Sequence, residues 1–496
     1  MSPFIILICV AIYFLGLLSI SFVTSRVTSS EGYFLGNKQS PWYAVAFGMV
    51  GDSLSGVTFI SVPGAIYYGK FGYLQLVAGY FVGYFVISRV LLPIYYSRNL
   101  TSIYEYLRER FGTITQRTGA FFFLLSRLLG ASGRLFLAAN VLQLFVFDAF
   151  HIPFPISVTI IISLILIYTY RGGIQTLVWT DVFQSTFLLL AVLLSILAIA
   201  NAMHLGVADV ARLIKHSNYN QILFLDVNGK SFILKNFIGG LFIAVAMTGL
   251  DQNMMQKNLS CKSLADAQKN IEWFSVIMVL VNVFFVCLGA LIYAYMQANN
   301  IALPMNADGT KVLTDTVFPS LALNHLGVFA GIVFIIGLTA ATFSSADSVL
   351  TSLTTTVYID FMNLDSNNAL TEGDKKRRRT FIHGAFAGVL LLCILGFSAL
   401  NNNAIVNTVL MLAGYTYGPL LGLFALGLFS NIKLNDTLVP YACILAPIIT
   451  YALNQVLSSN TNGYQIGMEL IVVNAIISIV LLVVFSKIKK TALPKN

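Results

Sequence analysis

The chain has 496 residues, of which 57% are apolar and only 10% charged, with a formal net charge of +9 and a mean hydropathy of +0.82. An ordinary soluble domain carries about 25% charged residues, so this composition excludes a water-soluble core and implies a polytopic membrane protein. The basic excess is not a nucleic-acid signal, because its distribution along the chain follows the apolar segments.

A spanning helix needs about 20 mostly apolar residues. Runs of that kind begin near Pro3, Pro41, Tyr73, Thr118, Pro153, Thr176, Leu234, Ile271, Gly327, Phe381, Ile405, Leu438 and Ile466, which predicts an all-α chain of about 13 transmembrane helices. The first run, Pro3 to Thr24, lacks a basic n-region and a small-x-small cleavage site and is expected to be a retained helix.

The run from Pro41 is interrupted by Gly51, Asp52, Ser53, Leu54, Ser55 and Gly56, with Thr58, Ser61, Pro63 and Gly64 following. Two glycines and several polar residues at bilayer depth predict a broken helix. Its freed carbonyls cannot be satisfied by lipid but can be satisfied by a bound cation. Small residues packed against a neighbouring helix are the plainer alternative. The loop Thr101 to Phe111 predicts a short amphipathic helix at the membrane surface.

In the run from Thr118, Arg127 and Arg134 lie two turns apart on one face. A guanidinium at that depth needs an anion, either a substrate carboxylate or a structural partner such as Asp52 or Asp181. Arg89 is expected to snorkel. Asp181 lies a few residues into the run from Thr176, where it either pairs with an arginine or joins a cation site.

The run from Gly327 carries Ala340, Ala341, Thr342, Phe343, Ser344, Ser345, Ala346, Asp347 and Ser348. Helical spacing places Ala341, Ser344, Ser345 and Ser348 along one flank, with Asp347 one turn from Ser344. An intramembrane Asp costs about 2.5 to 3.5 kcal/mol on insertion scales and requires a cation, a proton or a basic partner. Hydroxyls and carbonyls with one carboxylate suit a hard monovalent cation. Thr351, Ser352 and Thr354 to Thr356 extend the polar stretch.

With the N-terminus outside, the inner loops hold roughly 20 of the Lys and Arg residues and the outer loops about six, as the positive-inside rule requires. The inner set includes Arg98, Arg108, Arg110, Arg117, Lys257, Lys262, Lys269, Lys375 to Arg379, Lys487, Lys489 and Lys490. Anionic headgroups of the lipid bilayer are its expected partner, and the C-terminus is expected in the cytoplasm. Cys9, Cys287, Cys393 and Cys443 fall in predicted spans and Cys261 in a loop, a pattern with neither disulfide nor metal spacing. No HExxH, GxSxG or histidine cluster points to an enzyme. No appended cytoplasmic kinase, ligand-binding or oligomerisation domain is read, which makes a transporter-like solute receptor the less favoured alternative; a monomer is expected.

At these residues the chain resembles the sodium/solute symporters. The resemblance runs from about Tyr33 to Phe429 through YFLGN at Tyr33, SGVTFISVPGAIY at Ser55, SIYEYLRERF at Ser102, RGGIQTLVWTDVFQ at Arg171, DQNMMQKNLS at Asp251, the SSADS of Ser344 to Ser348 and YGPLLGLFALG at Tyr417. It implies a leucine-transporter-like 5+5 inverted-repeat core. The first repeat would occupy residues 41–205 and the second 206–430, flanked by a peripheral helix and loop in 1–40 and by peripheral helices and a tail in 431–496. The runs from Pro41 and Leu234 would be the broken pair, the latter around Thr248, Gly249, Asp251 and Gln252.

Carried over by position, the resemblance implies a sodium site on the carbonyls of Gly51, Leu54 and Ala341 and the hydroxyls of Ser344 and Ser345. A second sodium, as in the family's sialic acid carriers, would involve Asp181, Ser344, Asp347 and Ser348, with Asp347 standing where those carriers have serine. The solute would meet Ser53, Ser55, Thr58, Tyr73 and Arg134, with Val77 in place of a glutamine and Tyr73 in place of a phenylalanine. The implied function is sodium-coupled import of a small polar solute, an organic acid such as sialic acid, with sugar, proline or monocarboxylate carriers as alternatives on the same scaffold.

Overall fold

The computed structural model of the chain describes residues 3–24, 30–169, 172–306, 308–364, 369–399, 405–459 and 464–487. Among these, regular structure is helical, with only two isolated bridges, Ser40 to Cys261 and Met305 to Val312. All thirteen apolar runs fall on helix: α1 (Pro3–Thr24), α2 (Trp42–Ser53) with α3 (Gly56–Gly69), α4 (Tyr73–Val86), α5 (Glu105–Arg110) in the loop that follows, α6 (Thr113–Leu142), α7 (Phe154–Thr169), α8 (Gly173–Ala202), α9 (Ile233–Ala244) with α10 (Gln252–Leu259), α11 (Leu264–Ala298), α12 (Gly327–Thr356), α13 (Glu372–Ala399), α14 (Ile405–Phe429), α15 (Val439–Ser458) and α16 (Leu470–Ser486).

By length and apolar content, nine helices among the described residues can cross a membrane, or ten when the pair bent by 63° at residues 250 and 251 is one span; α7 and α16 are shorter apolar helices. Beyond α7 and α16, the count falls below thirteen for a local reason. The run from Pro41 is cut into α2 and α3, and α3 then continues through a tight 3-10 turn at Lys70–Gly72 directly into α4.

Two contacts position the interior. The first is α4 against α9, where backbone meets backbone. A Cβ on Gly79 would stand 2.1 Å from Phe237 O, and one on Gly240 2.2 Å from Leu76 O, so only glycine permits this approach. The second is α8, which packs on both α2 and α12, while α10 touches all three. The polar stretch of α12 is sequestered there: every residue from Ala340 to Thr356 is buried. The predicted surface helix is α5, anchored by buried Tyr106 and Leu107. Arg110 caps the end of α14, donating to the carbonyls of Gly427, Ser430 and Ile432 at 3.4, 2.7 and 3.3 Å. Arg89, expected to snorkel, reaches Glu272 at 2.8 Å with both side chains accessible.

Candidate ion and solute site

The α2–α3 break occurs at Leu54 (φ −92°, ψ 86°) and Ser55 (φ −71°, ψ 168°). Leu54 N still donates to Val50 O at 2.9 Å, and the next turn starts with Phe59 N on Ser55 O at 3.0 Å. The turn that would engage the carbonyls of Gly51 and Leu54 is therefore not made. Gly51 brings this break against α8 and α12: a Cβ there would lie 2.5 Å from Ser185 Oγ and 3.2 Å from Ser344 Oγ. Ser185 Oγ accepts from Gly51 N at 2.8 Å and donates to Gly48 O at 3.2 Å, fixing the last turn of α2 to α8.

On α12, Ser345 Oγ donates to Ala341 O at 3.2 Å, and Ser344 Oγ donates to Asp181 Oδ1 at 3.1 Å. The structure thus brings Gly51 and Ser344 together, with Leu54 in the same break and Ala341 and Ser345 within one turn on α12. Two released carbonyls, a third carbonyl and two hydroxyls are all hard oxygen donors, the chemistry that sodium accepts.

The neighbouring position, expected to hold a second sodium, is built differently. Lys257, assigned by the charge rule to an inner loop, is instead 1% exposed on α10. Its ammonium lies 2.5 Å from Asp181 Oδ2, 2.9 Å from Asp52 Oδ2 and 2.8 Å from Ser348 Oγ. Asn253 Nδ2 donates to the same Asp52 oxygen at 2.7 Å. Asp347 is occupied elsewhere, accepting from Tyr168 OH at 2.9 Å and from Ser348 N at 2.5 Å.

Neither structural partner considered for Arg134 is its partner. Asp52 and Asp181 hold Lys257, and the α9–α10 bend uses the other arginine of the face: Arg127 Nε meets Asp251 Oδ2 at 2.5 Å. Tyr417 OH donates to the same oxygen at 2.6 Å, and Asp251 Oδ1 caps α10 by accepting from Met254 N at 3.2 Å. Arg134 Nε donates to Gly130 O at 3.0 Å, and among the described residues no carboxylate lies within 4.0 Å of its guanidinium nitrogens. Its helix meets the break one turn further on, where a Cβ at Gly56 would lie 3.6 Å from that of Ala138. Ser55 is buried at 3% exposure, while Ser53, Thr58, Tyr73 and Arg134 are only partly covered.

Lys257, Asn253, Tyr168 and Ser185 escaped the sequence reading. A signal for Lys257 was present in the charge balance: acidic residues in or beside apolar runs, among them Asp52, Asp181, Asp251 and Asp347, outnumbered the two deep arginines.

A family model described as the sodium:solute symporter family matches residues 33–437. The sodium/sialic acid symporter NanT of Aliivibrio fischeri is 26% identical over 432 residues, covering 86% of this chain and 83% of the relative. The sodium/sialic acid symporter SiaT of Proteus mirabilis is 23% identical over 418 residues, covering 82% of this chain and 81% of the relative. A solved Na+-coupled sialic acid symporter in a substrate-bound outward-open state superposes with a TM-score of 0.82 at 20% identity, over 97% of both chains.

Proposed function

Because the chain belongs to the sodium:solute symporter family, and works by coupling a solute to sodium in a membrane, we propose that its solute is a small organic acid of the sialic acid kind, imported by alternating access. The observation that carries this reading is Arg134: a partly covered guanidinium with no carboxylate of the described residues in reach, one turn from where α6 meets the helix break. Arginine recognises a carboxylate bidentately, and an unpaired guanidinium at that depth is costly without one. Ser53, Ser55, Thr58 and Tyr73 supply the remaining polar contacts. Two sialic acid symporters among the relatives support the class of solute.

In this reading external sodium binds the carbonyls of Gly51, Leu54 and Ala341 and the hydroxyls of Ser344 and Ser345. It bridges α2 to α12, and so favours the outward-open arrangement and completes the solute site. The bundle of α2–α3, α4, α9–α10 and α11 then rocks against the remaining helices, residues 41–205 and 206–430 acting as inverted repeats. A membrane potential near 100 mV contributes about 2.3 kcal/mol per charge moved. The N-terminus lies outside and the C-terminus in the cytoplasm of a monomer in the plasma membrane; removing Lys257 from the loop count leaves the basic bias intact.

The test is uptake into proteoliposomes under a sodium gradient, with carboxylates and neutral solutes as competitors. Carboxylates should compete and neutral solutes should not. Efficient transport of an uncharged sugar, with affinity unaffected by Arg134→Ala, would overturn the organic-acid reading.

A further inference from the structure

Beside the sodium position just proposed, the α2, α8, α10 and α12 junction contains a second place for a monovalent cation, and the chain itself fills it. An ammonium has three hydrogens to donate, and Lys257 spends all three within 2.9 Å, on Asp52, Asp181 and Ser348. Of the three side chains expected to surround a second sodium outside the first site, Asp181 and Ser348 are thus bound to this ammonium, and Asp347 is held by Tyr168. A sodium at that point would lose both ligands to Lys257 and meet a like charge at contact distance.

We infer that Lys257 is the tethered cation of this position, replacing a second sodium, so that the protein binds a single sodium ion at the site formed by the helix break and α12. The inference rests on the sodium reading of that first site. Its consequence concerns coupling: a cation fixed by a peptide bond does not cross the membrane and draws nothing from the gradient, yet it neutralises charge between the same helices. Asp181 links the two positions, one carboxylate oxygen on Lys257 and the other accepting from Ser344. Lys257 therefore also orients a hydroxyl of the first site through Asp181.

Binding of radiolabelled sodium to the purified full-length protein, measured by scintillation proximity without any solute, decides the matter. The wild type should bind one sodium per chain with a Hill coefficient near one. Lys257→Ala, which vacates the position and leaves Asp181, Ser348 and Asp347 in place, should bind a second ion and raise the Hill coefficient above one. Should that variant fail to fold with two carboxylates left bare, Lys257→Ala combined with Asp52→Asn removes one charge of each sign, keeps the same ligands and carries the same expectation. Two sodium ions in the wild type, or a single ion in the folded variant, would overturn the inference. No sodium in the wild type would instead overturn the first site on which the inference depends.

Discussion

The two broken helices use the same device to opposite ends. At the α9–α10 bend, the freed carbonyls already have donors: Tyr95 OH on Gly249 O at 2.9 Å, Tyr104 OH on Leu250 O at 3.1 Å and Arg127 Nη2 on Met247 O at 3.1 Å. At the α2–α3 break, the turn that would engage the carbonyls of Gly51 and Leu54 is missing, and the facing helix offers hydroxyls instead. A break in a membrane helix is therefore not by itself an ion site. The sodium site proposed above lies where the surrounding side chains leave the carbonyls open, whereas at the α9–α10 bend they close them.

The largest effect is expected on the α12 side. Ser344→Ala with Ser345→Ala removes two of five proposed oxygen ligands and should abolish sodium-dependent uptake while the protein still folds. Normal uptake with unchanged sodium dependence would take α12 out of the ion site. At the other break, Arg127→Ala leaves Asp251 buried and uncompensated, a loss of about 3 to 5 kcal/mol. It should appear as a large fall in thermal stability, with and without sodium, and Asp251→Ala in the same chain should restore part of it. If sodium binding fell and stability did not, the two breaks would not differ as described.

Arg134→Ala probes the open break, since this guanidinium has no ion pair among the described residues to lose. Stability should change little, while a charge-assisted contact with a substrate carboxylate worth about 2 to 5 kcal/mol disappears, weakening apparent affinity by a factor of about 30 or more. The smallest effect belongs to the tyrosines. Tyr95→Phe and Tyr104→Phe each leave one buried carbonyl without its donor, at about 1 to 3 kcal/mol, and sodium affinity measured in both should match the wild type.

Much of this architecture was legible because its signals are local. The apolar runs mark the helices, the sequence GDSLSG marks the first break, and the alternation of small and hydroxylated residues marks the α12 flank. The partners were not legible, because pairing across helices leaves no periodicity. Arg127 and Arg134 look equivalent in sequence, two turns apart on one face, and only packing against Asp251 separates them. Lys257 was misread for a related reason. Its neighbours Gln252, Asn253, Gln256, Asn258 and Ser260 make the segment as polar as a loop, yet all are buried, because each side of this short helix meets a polar surface. Gln256 donates to Phe34 O and Thr355 Oγ1, and Asn258 accepts from Asn270.

The glycine contact between α4 and α9 has a mechanical consequence. With Gly79 and Gly240 each seated on the other helix's backbone, the two helices approach too closely for any larger residue at these positions, and in the proposed rocking motion they would move together as one lever. That lever is hinged to α10 through the 63° bend, and α10 carries Lys257. In that motion, a tilt of this lever would pull on the ammonium's contacts with Asp181 and Ser348, at the junction of α8, α10 and α12.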